Sequence, residues 1–246
     1  MRVNTFAGFA LEVAVISCLI PTAVLGSSKT DASRPVIRWE QGRTGSGFSF
    51  GADGRYSYQL SSDDLTVVLS IDSQELQKVN RRVSHFLAFY LTVHYTGSEA
   101  IDFESLSATL EFQEHYHQIH NALNSDGLAT RLQEDMDALN DETRRHLRKH
   151  PDEKGAQEAK LQQRLREIAE MQEFLGTQSL LATTLDPISR DAGGWILFST
   201  ESKWIGAWKR KEHFLLRIPL QHEVLEFPLT LPPKDAKFVL RPRPND

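Results

Sequence analysis

Cysteine is nearly absent from this sequence, in which Cys18 is the only one among 246 residues. Any processing that removes the first 26 residues leaves a chain with no thiol. Such a chain cannot form a disulfide, cannot bind zinc through thiolates and cannot use a cysteine nucleophile. Redox and thiol chemistry are therefore excluded for the processed protein.

An excess of positive charge is also missing. The chain has 28 Lys and Arg residues against 33 Asp and Glu residues, which gives a formal net charge of -5. Proteins that bind nucleic acid without sequence preference need a basic surface that neutralises phosphates. We therefore predict that nucleic acid is not a partner.

Catalytic motifs in their required context are missing as well. The sequence has no Walker loop, no dinucleotide-binding GxGxxG and no HExxH. Its glycine-rich run GSGFSFG, residues 45–51, lacks the strand-to-helix context of a nucleophile elbow or a phosphate-binding loop. We expect a non-catalytic protein, with a hydrolase of unrecognised type as an alternative.

The first 26 residues are predicted to be a signal peptide. Arg2 supplies a positive end, a mostly apolar run follows, and Val24 and Gly26 occupy the small-residue positions of a cleavage site. Glu12 and Pro21 interrupt this run, so it does not predict a clean membrane-spanning helix. We expect cleavage after Gly26 and export to the periplasm or the medium.

Lipidation is the alternative to plain secretion. The VISC run ends at Cys18 and resembles a lipoprotein processing site, which would make Cys18 a lipidated first residue. The stretch that follows, LIPTAVLG, is apolar, whereas a lipoprotein normally continues into a polar tether. Membrane contact is therefore expected only through a lipid on Cys18 or through peripheral binding.

Strand patterns occupy both ends of the remaining chain. After a polar leader at 27–35, strand signals fill 36–124 and return over 178–241. The clearest signals are alternating aromatics around Asp53-Gly54, the run LTVVLSID, and a run at 84–97 that is apolar on both faces. A strand that is apolar on both faces is expected at the centre of a layered β-structure.

Helical spacing replaces the strand pattern between residues 125 and 177. Large apolar residues recur every three or four positions, the pattern breaks at His150-Pro151, and Ser125 or Asp126 can cap the first helix. This segment predicts two antiparallel helices. Because neither flank has enough strands for a stable sandwich, we predict a mixed α+β fold: one immunoglobulin-like antiparallel β-sandwich interrupted by a long helical hairpin.

Histidines concentrate in the run EHYHQIH, which begins at Glu114. An alternating strand pattern from Leu106 leads into this run, and its continuation would place His115 and His117 on the face opposite His120. A helix would instead bring Glu114, His117 and His120 to one side, a ligand set that suits zinc or copper. We favour a solvated strand or a strand-to-helix junction, with a metal site at these three residues as the alternative.

The second candidate site consists of Trp204, Trp208, Lys209, Arg210 and Lys211. In an extended segment the two tryptophans share a face, which suits stacking on a sugar ring or contact with lipid headgroups. In the alternative, the tryptophans cover the edge of a sheet and the basic run is solvated. We expect packing, with glycan or small-ligand binding as the functional alternative.

The helical hairpin is the third candidate. It carries a narrow apolar stripe, and its other faces carry charges of both signs. Such a stripe is a slim core for two helices, so it must be buried on the sheets or on another molecule. We predict that a protein partner, or a second copy of the chain, binds through the hairpin, and that the protein is a binding or assembly module of the bacterial cell envelope.

Overall fold

The structure, a computed structural model, describes residues 34–78, 86–114, 117–199 and 212–231. All of them belong to one compact unit that starts at Arg34. The predicted signal peptide, Cys18 and nearly all of the leader lie outside the described residues. No helix among the described residues is long and apolar enough to cross a membrane.

One sheet consists of five antiparallel strands in the order β10-β5-β4-β3-β2. Its strands are β2 (Ser46–Phe50), β3 (Arg55–Ser61), β4 (Leu65–Asp72), β5 (Phe86–Tyr95) and β10 (Asp191–Ser199). The predicted turn at Asp53-Gly54 joins β2 to β3, and Gly54 has a φ of 83°, a conformation that glycine adopts without strain. We call this the hairpin-side sheet because the helices pack on it. The short helix α1 (Ser73–Gln77) follows β4.

The second sheet has the order β1-β12-β11-β7-β8, and only its β1–β12 pair is parallel. Its strands are β1 (Val36–Arg38), β7 (Thr109–Phe112), β8 (Gln118–Asn121), β11 (Glu212–Pro219) and β12 (Val224–Leu231). The short strands β6 (Ile101–Phe103) and β9 (Thr183–Leu185) pair separately. We call the sheet of β1, β12, β11, β7 and β8 the far sheet.

The two five-stranded sheets share one hydrophobic core. Leu69 and Phe89 of the hairpin-side sheet belong to the same cluster of buried side chains as Phe112 and Phe227 of the far sheet. Burial of this apolar surface is the main force that holds the sheets together. The predicted mixed α+β class, with strands on both sides of a helical hairpin, is confirmed, whereas the immunoglobulin-like topology stays a prediction.

Two long helices form the hairpin between β8 and β9. They are α2 (Ser125–Lys149) and α3 (Lys154–Gln178), and a 3₁₀ turn at Pro151–Glu153 joins them. The N-cap of α2 is Asn124 rather than the predicted Ser125 or Asp126, because its side-chain oxygen accepts hydrogen bonds from the next turn of backbone N–H groups, at 2.9 and 3.2 Å.

The near half of the hairpin, by which we mean 125–139 and 165–178, covers the outer face of the hairpin-side sheet. There Ala88 of β5 and Leu197 of β10 form a second buried cluster with helix residues, namely Leu128, Leu132, Ile168, Met171 and Leu175. This cluster explains why the sequence of β5 is apolar on both faces. The far half of the hairpin, residues 140–164, contains no buried residue, so all its side chains remain at least partly exposed.

The root of the hairpin is hydrogen-bonded to β10 on both sides. The N–H group of Leu123, which precedes α2, donates to the carbonyl oxygen of Leu197 at 2.8 Å. The N–H group of Leu180, which follows α3, donates to the carbonyl oxygen of Trp195 at 2.9 Å. The entering and leaving chains thus cover the backbone of β10, which would otherwise be an open sheet edge.

Candidate functional site

The described residues of the histidine run belong to the connection between β7 and β8 and to the start of β8, so the strand from β7 does not continue through the run and no helix begins in them. Strand β7 ends at Phe112 and β8 begins at Gln118. His117 has a φ of 52°, the left-handed conformation that closes many tight turns. The strand predicted from Leu106 begins only at Thr109 and ends at Phe112. It therefore ends before Glu114, the boundary that the sequence did not determine.

The predicted metal ligands have different partners. Glu111 accepts a hydrogen bond from Nδ1 of His117 at 2.7 Å, whereas the ring of His120 packs on Phe112 with centroids 4.7 Å apart. Glu114 lies 3.6 Å from Nε2 of His213. In the described part of the chain, no group of three His, Cys, Asp or Glu side chains is arranged to hold a metal ion. The structure therefore does not bring Glu114, His117 and His120 together; His115 lies outside the described residues.

The alternation predicted from Leu106 is wrong at its start. Residues Ser105–Ser107 form a 3₁₀ turn, in which Leu106 is 46% exposed and Ser105 is buried. The Ser105 hydroxyl donates a hydrogen bond to the carbonyl oxygen of Leu180 at 2.7 Å. This bond compensates the burial of a polar group and ties the turn to the root of the hairpin.

The second candidate site, Trp204, Trp208, Lys209, Arg210 and Lys211, lies outside the described residues. Its proposed glycan or lipid binding stays a prediction. The described tryptophan nearest to it in sequence is Trp195, whose ring packs against Tyr90 and Phe174, with centroids 5.3 and 5.7 Å away. That tryptophan contributes to hairpin packing.

The run GFSFG, residues 47–51, has the letters of a GxSxG nucleophile motif, but its geometry does not support that chemistry. Ser49 lies in the middle of strand β2, which is followed by a β-turn and then by β3. A nucleophile elbow instead places its serine on a sharp turn between a strand and a helix. We therefore assign no catalytic role to Ser49.

A groove runs along one side of the helical hairpin. Its inner part is a cavity of about 720 Å³ between the near half of the hairpin and the sheets. An outer cavity of about 300 Å³ lies between the far halves of α2 and α3 and shares Leu139, Glu142 and Arg164 with the first. We call the two together the hairpin groove. The helix residues that line it extend from Leu128 to His146, which corresponds to roughly 27 Å along a helix axis.

Apolar side chains form part of the floor of the hairpin groove, and Leu128, Leu132 and Ile168 among them are themselves buried. The large apolar residues that line the groove are Phe86, Leu123, Leu128, Leu132, Leu139, Leu161 and Ile168. The helical stripe seen in the sequence supplies most of them, whereas Phe86 comes from β5 and could not be assigned to the groove from sequence. His120, predicted as a metal ligand, lines the inner part instead.

Charges of both signs surround this floor. Arg131 and Arg164 line the groove together with Asp135 and Glu142. Arg164 also forms an ion pair with Glu167, with an N–O distance of 3.2 Å. With Lys160 of the outer cavity, three cationic and two anionic side chains line the groove, so it does not present charge of a single sign. Its chemistry suits an apolar segment that carries charges of both signs at its edges.

A charge network crosses the outer face of the far sheet. Arg217 of β11 lies 2.6 Å from a carboxylate oxygen of Glu111 and 2.8 Å from one of Glu226. Both carboxylates are almost fully buried, while Arg217 is half-buried. Glu226 also lies 3.6 Å from Arg38. One guanidinium thus bridges two carboxylates and links three neighbouring strands, which is a structural role.

The pKa of Glu111 is lowered from its ordinary value. The hydrogen bond from His117 is the main cause, burial opposes it, and the hydrogen bond and charge of Arg217 add to it. A carboxyl group with a lowered pKa remains ionised near neutral pH and is a poor general acid. The Glu111 carboxyl group is therefore not suited to act as a general acid.

The lowered pKa predicts how stability depends on pH. Because the folded state binds a proton on Glu111 less readily than the unfolded state does, this group stabilises the fold above its unfolded pKa. The contribution is lost as pH falls through the lower folded pKa. In thermal unfolding between pH 7 and pH 3, the wild type should lose stability more steeply below about pH 5 than Glu111→Gln does. Parallel curves for the two proteins would contradict the assigned pKa.

Comparison with known proteins gives no family. No protein family model matches the chain, and a search of curated proteins gives no match. Among solved structures, the candidate lipoprotein YcdA of Bacillus subtilis matches with 9% sequence identity and a TM-score of 0.33. The match covers 78% of this chain and 40% of that one, so the chain spans about two fifths of the length of that protein. A similarity of this size identifies neither the fold nor the function.

Proposed function

We propose that the protein is an exported, non-catalytic binding module whose hairpin groove holds an amphipathic helix of another cell-envelope protein. The hairpin groove carries this proposal, because it presents the half-buried Leu139 and Leu161 next to the buried cluster. Export rests on the signal-peptide pattern of residues 1–26. The groove and the export signal together support a role in protein–protein association outside the cytoplasm.

The dimensions of the groove favour a helix as the occupant. A floor of roughly 27 Å accepts four to five turns of α-helix. Helix-in-groove recognition typically uses apolar anchors at positions i, i+3, i+4 and i+7 of the bound helix. The inner cavity of about 720 Å³ has room for a large anchor side chain, and the smaller outer cavity can cover the next turn. Asp135, Glu142 and Arg164 can then pair with charges that flank the anchors.

The asymmetry of the hairpin supports the same role. Its near half is fixed by the buried cluster on Ala88 and Leu197 and by two backbone hydrogen bonds to β10. Half of the groove is therefore preorganised, which lowers the entropic cost of binding. The far half has no buried residue of its own and gains the most from a partner that covers Leu161 and, at the end of the near half, Leu139.

Site-specific photo-cross-linking in the producing cells tests this function. A photoreactive residue at Glu142 faces the groove, while one at Arg144 lies about 200° around the same helix and serves as a matched control. We expect a covalent adduct with one envelope protein from position 142 and none from position 144. Leu139→Glu should abolish the adduct, and Asp137→Ala, on the outward face, should leave it unchanged.

Several outcomes would contradict the proposal. Equal adducts from positions 142 and 144 would show nonspecific contact. An adduct that contains only this chain would mean that the groove is filled by the protein itself, either within one copy or between two copies. An adduct that survives Leu139→Glu would place the partner elsewhere. Circular dichroism spectra of the variants confirm that each keeps its fold.

A further inference from the structure

Strand β2 forms an edge of the hairpin-side sheet that lacks the usual protection against pairing. Its sequence, SGFSF, contains no charged residue and no proline, the residues that normally prevent sheet edges from pairing with another chain. At the opposite edge of the same sheet, the backbone of β10 is covered by Leu123 and Leu180. Among the described strands, none pairs with the outer side of β2.

The hydrogen-bond pattern shows which backbone groups of β2 face outward. Gly51 donates its N–H to Arg55, and Gly45 accepts from the N–H of Ser61. Because bonded positions alternate in an antiparallel pair, the odd-numbered residues of β2 bond to β3. The N–H and C=O groups of Phe48 and Phe50 therefore point away from the sheet and are placed to pair with a further strand.

The side chains of the same two residues are exposed aromatics. Phe48 is 44% exposed and Phe50 is 51% exposed. Both rings pack on one side against buried tyrosines: Phe50 on Tyr56 at 4.7 Å and Phe48 on Tyr58 at 5.1 Å between centroids. Burial raises the pKa of Tyr58 to about 12, which agrees with a dry environment behind the phenylalanines. The rings of Phe48 and Phe50 thus form an exposed apolar surface beside the outward-facing backbone groups of β2.

We propose that β2 pairs with β2 of a second copy of this chain, which joins two hairpin-side sheets into one continuous antiparallel sheet. The edge is complementary to itself about a two-fold axis, as a symmetric dimer requires. With Phe48 opposite Phe50 of the second copy, each pair exchanges two backbone hydrogen bonds. The N–H group of Ser46 already donates to Arg43 at 2.9 Å, so this register uses the two residues whose outward N–H groups remain available.

This register buries all four phenylalanine rings together. Cross-strand aromatic pairs are among the stabilising contacts of antiparallel sheets. Because only two aromatic side chains per copy become covered, the contact area is small, and the dimer should form reversibly with rising concentration. The hairpin groove lies near the opposite edge of the hairpin-side sheet, beside β5 and β10. Pairing through β2 therefore leaves the groove accessible in both copies.

Disulfide trapping tests the dimer and its register. The two-fold axis passes beside Ser49, and the two Ser49 Cα atoms should lie about 4.5 Å apart, within disulfide range. In the exported protein with Cys18→Ser, we expect Ser49→Cys to form a disulfide-linked dimer at least tenfold faster than Ser98→Cys. Ser98 is exposed in a loop away from β2, so its rate measures random collision. Equal rates for the two variants would overturn the proposal.

Sedimentation of the reduced proteins gives the second measurement. The wild type should show a monomer–dimer equilibrium that Phe50→Lys shifts to monomer. Ile188→Lys, which also places a lysine on an exposed apolar residue (93% exposed), should keep the dimer. A wild type that stays monomeric, as it would if another segment of the chain occupied the edge, or a dimer that persists in Phe50→Lys, would overturn the proposal. Cross-linking from position 142 should be unchanged in Phe50→Lys, which separates this test from that of the groove.

Discussion

Replacing Gly194 with alanine is expected to lower the free energy of unfolding by about 2–3 kcal/mol. A Cβ atom at this position would lie 2.6 Å from the backbone nitrogen of Leu180 and 2.7 Å from its Cα atom. Both contacts are with backbone, which cannot move aside as a flexible side chain can. The chain that leaves α3 would have to separate from β10 and would lose the hydrogen bond from Leu180 to Trp195.

The neighbouring glycine provides a matched control. A Cβ atom at Gly193 would meet the hydroxyl of Tyr90 at 3.2 Å, and that ring can shift by a few tenths of an ångström. Urea unfolding should therefore show less than about 1 kcal/mol of destabilisation for Gly193→Ala. Gly176→Ala in α3 meets no atom within 4 Å and should be neutral or stabilising. If Gly194→Ala and Gly193→Ala were equally stable, the root of the hairpin would not be packed as described.

Replacing Arg217 with methionine is expected to cost about 2–3 kcal/mol at neutral pH. Methionine retains much of the aliphatic stem, so the main loss is the positive charge between Glu111 and Glu226. Their two carboxylates, each 11% exposed, would then be buried without that bridging cation. The estimate is below that for a fully buried pair because Arg217 itself is 32% exposed and solvent screens part of the interaction.

Two comparisons separate this effect from a general loss of surface charge. Arg38→Met removes an ion pair that is longer, at 3.6 Å, and more exposed, and it should change stability by less than about 0.5 kcal/mol. Adding Glu111→Gln to Arg217→Met should restore part of the lost stability, because one of the two carboxylates is neutralised. A double variant that is less stable than Arg217→Met alone would contradict the assigned charge network.

The spacing of apolar residues predicted the strands and helices, because the side of each element that is buried determines that spacing. The run LTVVLSID, Leu65–Asp72, is strand β4 with the same bounds, and the helical spacing between 125 and 177 corresponds to α2 and α3. The apolar pattern on both faces of β5 predicts a strand at the centre of a layered structure. The structure gives the reason: one face packs on the far sheet and the other beneath the hairpin.

Contacts between distant parts of the chain could not be predicted in this way. Ser105 is buried because its hydroxyl reaches the carbonyl group of Leu180, 75 positions later. Glu111 and Arg217 are 106 positions apart, and neither carries a local signal of its partner. Asn124, a good capping residue, was overlooked in favour of its neighbours. The groove was missed in part because Phe86 reaches it from a strand.

The helical hairpin was predicted as the surface of association, and the structure sharpens where on the hairpin binding is proposed. In the near half, Leu128, Leu132 and Ile168 are buried against the sheet and leave little apolar surface for a partner. The apolar surface that remains in the hairpin groove includes Leu139, at the junction of its two cavities. Binding by the groove and pairing by β2 use separate surfaces, so one dimer would present two grooves.

The most direct test of groove binding is to map, by mass spectrometry, the partner residues that become cross-linked to position 142. We expect them to fall in one segment of about 15–18 residues with apolar side chains at helical spacing and charges of both signs beside them. The adducts should recur every three or four residues of that segment. Adducts scattered over several segments, or confined to a strand-like pattern of alternate residues, would contradict the proposal that the groove holds an amphipathic helix.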